Sequence, residues 1–130
     1  MREIHITLAG KPFTLRATFA ASMEIAETVA DPIFMIKEIS QEASFAEAGL
    51  PYSPNFELNV YNIPQVLWIG AKAAGNKITL EEMNELVFET GFYECRGHAI
   101  SYITKMVSGG YEAEKIGEVT DAEVKEAGKS

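Results

Sequence analysis

Cys95 and His98 are the residues whose types and spacing come closest to a chemical site. They lie three positions apart on a predicted helix, beside Glu94, so the three side chains could bind one metal ion. Zinc needs three or four ligands, and the only other histidine, His5, is at the far end of the chain. A packed thiol beside an exposed imidazole is therefore the favoured interpretation, and we predict no metal ion and no cofactor.

Two further kinds of chemistry each have a structural alternative. Cys95 could be a nucleophile, but a catalytic cysteine requires an electropositive setting, and the chain is acidic around it. Glu81, Glu82 and Glu85 fall in the first turns of a predicted helix, where acidic side chains are simply stabilising. The sequence contains no glycine-rich phosphate loop, G-x-S-x-G elbow or H-E-x-x-H pair. We therefore predict no catalytic residue and a protein that is not an enzyme.

The elements that would position these residues begin with a β-hairpin, predicted over residues 3–19. Apolar and polar residues alternate over 4–8 and again over 13–19, which is typical of half-buried strands, and a turn is predicted at 9–12. A two-stranded hairpin is not stable alone. We therefore expect its apolar face to lie on the helices that follow.

Apolar residues at helical spacing predict about five helices over residues 20–108. The first has an apolar stripe that contains Met23, Ala26 and Val29, with Ile25 beside them. Asp31-Pro32 ends this helix and begins the second. A long loop follows at 49–61.

The remaining three helices are predicted from their capping residues. Asn62 is expected to cap the third, and Thr79 with Glu82 forms a capping box at the start of the fourth. Gly91 ends the fourth and Gly109-Gly110 ends the fifth. The fifth carries an apolar stripe, which comprises Ala99, Ile100, Ile103, Met106 and Val107.

These elements predict an α+β fold that is mainly α, with an antiparallel hairpin packed on a cluster of about five helices. Residues 1–110 are expected to form one globular domain. Residues 111–130 are rich in acidic side chains and poor in large apolar ones, so they are predicted to be a flexible acidic tail, in which a short helix at 121–127 could form.

Composition and charge exclude several classes of partner. Hydrophobic residues make up 47% of the chain and charged residues 23%, which is typical of a globular protein. The formal net charge of -8 repels phosphate backbones and anionic lipid, so neither nucleic acid nor a membrane is an expected partner. No signal sequence or membrane-spanning stretch is recognised, and Cys95 is the only cysteine. We expect a cytoplasmic location.

Residues 8–15 have the sequence LAGKPFTL, a predicted strand pair of the form hydrophobic-x-G-K-x-hydrophobic-x-L. Residues 19–27, FAASMEIAE, follow as a predicted helix that contains glutamate. This start of the chain resembles that of the phage tail assembly chaperones related to the gene transfer agent family, whose chains open with such a strand pair and helix.

Later motifs extend the resemblance to most of residues 3–108. They are the helix sequence VLWIGA at 66–71, the cap ITLEE at 78–82 and the helix end at Gly91. The insertion from Leu50 to Tyr61 and the acidic tail depart from the shorter family pattern, so the resemblance implies nothing about them.

The resemblance implies a non-enzymatic role in the assembly of a phage or prophage tail. Such a chaperone binds the long, aggregation-prone tape measure protein and helps tail tube subunits to assemble around it. It needs an apolar surface for helical segments of its client and a net charge that keeps the complex soluble. We predict that the third and fifth helices form a groove around Trp68, Tyr102 and Met106, and that the acidic tail binds a second partner. The sequence leaves self-association open.

Two other functional classes remain open. A structural virion component, such as a minor tail or head-tail joining subunit, would have the same composition, but it would stay in the finished particle. A small-molecule binding module or an enzyme would require a concave pocket with converging polar groups.

Overall fold

The computed structural model describes residues 2–108. In chain order the elements are β1 Glu3–Leu8, β2 Lys11–Arg16, α1 Phe19–Thr28, α2 Pro32–Glu47, α3 Asn62–Ala73, α4 Leu80–Thr90 and α5 Phe92–Ser108. The predicted class, a mainly α fold with an N-terminal hairpin and five helices, is confirmed. The predicted end of the fifth helix at Gly109-Gly110 and the predicted tail at 111–130, with its short helix, lie outside the described residues.

The hairpin packs its apolar face onto the helices, as its alternating sequence predicts. β1 and β2 pair in antiparallel register with Ile6 opposite Phe13, and both side chains are buried. Leu8 and Leu15 are completely buried. β2 contacts α3, and β1 contacts α4 and α5, so the strands are stabilised by helices as an isolated hairpin could not be.

The turn of the hairpin is shorter than predicted. Ala9 and Gly10 form it alone, both with positive φ angles, of 50° and 79°. This conformation matches the twist of antiparallel strands. Pro12, predicted in the turn, belongs to β2, where a two-stranded sheet leaves its missing N–H unneeded. The Ala9 N–H donates to Thr90 Oγ1 at 2.8 Å, which joins the turn to the end of α4.

The predicted apolar stripe of α1 is wrong for Met23 and Ala26, which are exposed, whereas Val29 is partly buried against the core. The buried face of α1 carries Ala21 and Ile25, four residues apart. The helix carries apolar side chains on both sides, and a salt bridge of 2.8 Å from Lys72 in α3 to Glu24 accompanies the burial of the second pair. Phe19, predicted as part of the hairpin, begins α1 and is exposed.

The junction between α1 and α2 follows the prediction. Asp31 caps α2 by accepting from the Ile33 N–H at 2.8 Å, and Pro32 occupies the first turn. Thr18 caps α1 by accepting from the Ala21 N–H.

The central helix is α3, which contacts β2, α1, α4 and α5. Gly70 lets these elements approach closely: a Cβ placed there would lie 3.0 Å from the Tyr102 ring and 3.1 Å from Leu15 Cβ. The predicted cap, Asn62, is wrong, because Asn62 is already inside the helix. Asn59 performs that role, since its side chain accepts from the Tyr61 and Asn62 N–H groups.

Helices α4 and α5 complete the core. The capping box of Thr79 and Glu82 is present, and Gly91, with φ of 112°, separates the two helices as predicted. The predicted stripe of α5 is correct for Ala99, Ile103 and Met106, which are buried, but Ile100 is only partly buried and Val107 is substantially exposed. No helix within residues 2–108 has the length and apolar content to cross a membrane.

Candidate functional site

An open groove of about 600 Å³ lies where the start of α1, the start of α2 and the end of α5 meet. Its lining is mostly apolar. The apolar lining residues are Ala17, Phe19, Met23, Ala26, Pro32, Ile33, Met106 and Val107.

Three large side chains of this groove are left open to solvent. Phe19 is 80% exposed, Ile33 is 69% exposed and Met23 is 48% exposed. Single apolar residues at a protein surface are ordinary, but several that line one concave surface are typical of a recognition site. The groove is therefore the strongest candidate for a functional site in the described part of the chain.

The groove exists because α1 has two apolar faces and the core covers one of them. Ile25 is completely buried, while Met23, two residues earlier, projects from the opposite side of the helix. The burial of Ala21 and Ile25 in the core sets the rotation of α1. A half-exposed salt bridge from Lys72 to Glu24 adds to it, and the Lys72 ammonium group also lies 3.7 Å from the centre of the Trp68 ring. The Met23 face is therefore turned outward.

Polar groups frame the groove at two points. The Arg2 guanidinium donates from Nη1 to the Met106 carbonyl oxygen at 3.2 Å, and the Arg2 carbonyl accepts from the Ala17 N–H at 2.8 Å. The Asp31 carboxylate is engaged in capping α2. Arg2 is the one cationic and Asp31 the one anionic side chain among the described lining residues, so the two formal charges of the lining balance.

The structure does not bring the three predicted partner-binding residues to one exposed surface. Tyr102 is completely buried, and its hydroxyl donates to the Arg16 carbonyl oxygen at 2.7 Å. Burial, and to a lesser extent Glu24, raises the pKa of Tyr102. Trp68 is partly buried, and its indole N–H donates to the Ile78 carbonyl oxygen at 2.9 Å. Met106 alone of the three lines the groove.

The sequence could not show whether Trp68 and Tyr102 belong to the core or to a binding surface, because a tyrosine or tryptophan at helical spacing suits both equally well. The groove residues that were missed, Phe19 and Ile33, sit at the first turns of α1 and α2. In the sequence these two residues are apolar positions outside the stripe that each helix buries in the core. That pattern indicates a surface site only weakly, because the buried face of each helix is not known from the sequence.

Cys95 is a core residue rather than a nucleophile. It is completely buried, and its Sγ lies 3.9 Å from the Val87 carbonyl oxygen of α4. Burial and, secondarily, Glu94 raise the pKa of the thiol to about 11. A thiol with a raised pKa supplies almost no thiolate at neutral pH, so this site is unsuited to nucleophilic chemistry.

The two histidines, distant in sequence, line one cleft, because β1 packs against α5. His5, His98 and Glu94 all contribute to this cleft, whereas Cys95 does not. The His98 Nε2 atom is buried without a hydrogen-bond partner and lies 3.8 Å from Glu94 Oε2. The distance is long for a hydrogen bond. Among residues 2–108, no group of three or more His, Cys, Asp and Glu side chains is arranged to hold a metal ion.

The glutamates at the start of α4 act as helix-terminal residues. Glu82 Oε1 accepts from the Thr79 N–H at 3.2 Å, and Thr79 Oγ1 accepts from the Glu82 N–H at 3.1 Å. Glu81 also lies in the first turn. The capping geometry accounts for Glu82 without a ligand.

A buried carboxylate that the sequence did not single out lies in α2. Glu38 is 1% exposed and accepts from the Asn55 N–H at 2.6 Å and from the Tyr52 hydroxyl, which also lies 2.8 Å from Gln41 Oε1. The hydrogen bond from Asn55 holds the pKa of Glu38 below its ordinary value, whereas burial and the nearby Glu38 raise the pKa of Tyr52. This network attaches the loop at 48–61 to α2.

Comparisons of the chain with protein-family models, with curated protein sequences and with solved structures find no match.

Proposed function

We propose that this chain is a non-enzymatic tail assembly chaperone of a phage or prophage, and that its groove binds a helical segment of the tape measure protein while tail tube subunits assemble. The sequence resemblance suggests the class of protein. The observation that supports it most is the groove itself, in which Phe19, Met23 and Ile33 leave apolar surface exposed next to an otherwise buried core.

The chemistry of the groove suits the apolar face of an amphipathic helix. Such a helix presents apolar side chains at intervals of three and four residues. The groove offers apolar side chains from α1, α2 and α5. In this proposal the client contacts Phe19 and Ile33, together with Met106 from the surface that the sequence predicted, instead of Trp68 and Tyr102.

The charge of the chain is compatible with this role. A net charge of -8 keeps a complex with an aggregation-prone client soluble, and it repels nucleic acid. We place the activity in the cytoplasm of the host cell, where tail proteins are made and assembled. No catalytic step is assigned, because neither the Cys95 thiol nor the glutamates of α4 are arranged for one.

Co-expression with the tape measure protein from the same genome tests the proposal. The affinity-tagged full chain is compared with a Phe19→Ala, Ile33→Ala double variant and with Phe88→Ala as a matched control. Phe88 is 71% exposed on α4 and does not line the groove. The wild type and Phe88→Ala are expected to retain soluble tape measure protein on the resin, and the double variant to lose most of it.

Circular dichroism checks that all three proteins fold. Equal capture by the folded double variant would remove the groove as the client site. Recovery of the chain as a stoichiometric component of purified particles would instead support the structural virion protein, because a chaperone leaves before the particle is complete. A groove that binds a second copy of the chain would appear as a dimer that Phe19→Ala, Ile33→Ala dissociates.

A further inference from the structure

We propose that residues 51–58, which we call the strap, detach from α2 and α5 as one unit while the helices and the hairpin stay folded, and that Glu38 is the latch that holds the strap closed. The released strap uncovers a second apolar surface, separate from the groove. No strap residue lines the groove, so this inference is independent of the proposed function.

Every second side chain of the strap is turned toward the helices. The inward side chains are partly or fully buried, and they are Tyr52, Pro54, Phe56 and Leu58. The residues between them are exposed. A period of two is that of an extended chain, whose successive side chains point to opposite sides. With one bend, at Asn55, the strap therefore lies on the helices as an extended peptide lies in a binding cleft.

The backbone of the strap is held by few hydrogen bonds. Within residues 2–108 it makes no backbone-to-backbone hydrogen bond, in contrast to a strand of a sheet. The Asn55 N–H donates to Glu38 Oε1 at 2.6 Å, and the Glu57 carbonyl oxygen accepts from Asn62 Nδ2 at 3.1 Å. A segment with few hydrogen bonds and few buried apolar side chains opens at a lower free energy than the core.

Both ends of the strap are attached to helix termini. At the end of α2, the Leu50 N–H donates to the Phe45 carbonyl oxygen at 2.8 Å. At the start of α3, Asn59 accepts from the N–H groups of the first turn. These contacts lie outside the strap, so the residues between them can leave the surface without changing either helix.

Glu38 concentrates the polar contacts between the strap and α2. Its carboxylate accepts from the Asn55 N–H, and its two oxygens lie 3.0 and 3.1 Å from the Tyr52 hydroxyl. Glu38 is 1% exposed, so in the closed form these donors replace the water that a carboxylate needs. Opening the strap returns the carboxylate to water instead of leaving it buried and unpaired. The latch can therefore open and close reversibly at one side chain.

An open cleft of about 290 Å³ already lies between the strap and the helices. Phe56 and Leu58 line it from the strap, and Ile39 and Tyr93 line it from α2 and α5. When the strap leaves, Ile39 loses its cover and the inward strap side chains are exposed. The cleft then becomes an apolar surface that is accessible to a partner.

Proteolysis of the native full chain with chymotrypsin tests the strap. This protease takes an aromatic or large apolar side chain into its specificity pocket, and Tyr52 and Phe56 are turned inward, so cleavage after them requires the strap to open. The initial rate of this cleavage, mapped by mass spectrometry, should be nearly independent of urea below the global transition. Cleavage after the core residues Phe13 and Tyr102 should rise steeply with urea.

Variants test the latch through the rate of cleavage after Phe56. Glu38→Ala should raise this rate roughly tenfold or more, as expected for the loss of hydrogen bonds to a charged group. Tyr52→Phe keeps the ring but removes one donor, and should raise the rate by less. Glu42→Ala is the matched control on the same helix, because Glu42 lines the cleft and makes only a 3.9 Å ion pair with Arg96. Its rate should change by less than about twofold.

Strap cleavage with the same urea dependence as cleavage after Phe13 and Tyr102 would overturn the inference, because the strap would then open only in global unfolding. An equal acceleration by Glu42→Ala and Glu38→Ala would remove Glu38 as the latch. Circular dichroism checks that the variants fold. If Glu38→Ala is unfolded, Tyr52→Phe decides, and an unchanged rate in that variant would overturn the latch. No client takes part, so this experiment and the capture experiment on the groove can fail separately.

Discussion

The middle and the start of α2 differ in how their apolar neighbours are covered. In the middle of the helix, Glu38 binds the loop at 48–61 through the Asn55 N–H and the Tyr52 hydroxyl. At its start, Ile33 is 69% exposed, and Phe19 of α1 is left open beside the same groove. One apolar surface is closed by the chain itself, and the other is left available.

The difference shows what a loop needs in order to cover apolar side chains of the core. The loop buries Leu58 and partly buries Phe56, and the hydrogen bond from the Asn55 N–H to Glu38 anchors its backbone. A buried carboxylate is costly unless each oxygen finds a donor, and here the loop supplies the donors. Over the groove no segment within residues 2–108 has an equivalent anchor, so the apolar side chains there remain suited to recognition.

The largest effect is expected from truncating the core face of α1. Ile25→Ala removes a completely buried side chain and should lower the free energy of unfolding by about 2–5 kcal/mol. Met23→Ala, on the groove face of the same helix, should change it by less than about 0.5 kcal/mol. Urea denaturation of the two variants measures both values. A Met23→Ala cost close to that of Ile25→Ala would show that the groove face helps to hold the fold together.

The next largest effect concerns space at the centre of the molecule. Gly70→Ala places a methyl group against the Tyr102 ring and Leu15, and overpacking of this kind costs about 1–3 kcal/mol. Gly97→Ala is the matched control in α5, because nothing lies within 4 Å of a Cβ there. That substitution should stabilise the helix by about 0.5–1 kcal/mol. If both variants were stabilised, the packing of α3 against α5 would be looser than the contacts at Gly70 indicate.

The predictability of the fold followed the strength of the local signals. The alternation of the hairpin, the Asp31-Pro32 junction and the capping box of Thr79 depend on residues that are neighbours in sequence, and each was predicted correctly. The rotation of α1 was not, because both of its faces are apolar and only the contacts with distant parts of the chain decide that Ala21 and Ile25 are the buried pair.

The candidate site was less predictable for the same reason. Tyr102 is suited by type to a binding surface, and only the tertiary fold shows that its hydroxyl reaches the Arg16 carbonyl oxygen in the core. Glu38 was not singled out because its partners come from a loop that has no periodic pattern. Phe19 lies at a boundary between two elements, where a shift of one residue changes the face that a side chain occupies.

A smaller effect is expected at the end of the anchored loop, where α3 begins. Asn59 accepts from two N–H groups of the first turn, whereas the Asn62 side chain accepts from the Asn59 N–H and donates to the Glu57 carbonyl oxygen. Asn59→Ala should therefore cost about 1 kcal/mol, as helix caps typically do, and Asn62→Ala should cost less. Thermal unfolding of the two variants compares them. The reverse order would restore Asn62 as the capping residue.

The smallest change in global stability is expected from mild acid, and it should be confined to the anchored side. The pKa of Glu38 lies below its ordinary value of 4.5, chiefly because of the hydrogen bond from Asn55. The unfolded chain then binds a proton at this group more readily than the folded chain does. The stabilisation from Glu38 is therefore fully present above pH 4.5 and is lost as the pH falls through the lower pKa of the folded state.

The amide proton of Asn55 reports this titration directly, because it donates to the Glu38 carboxylate. Its chemical shift should stay constant down to pH 4.5 and move only below it, while the Met23 methyl signal in the groove stays unchanged over the same range. Glu38→Gln, which cannot titrate, should abolish the movement. A midpoint above pH 4.5 would mean that burial outweighs the hydrogen bonds at Glu38.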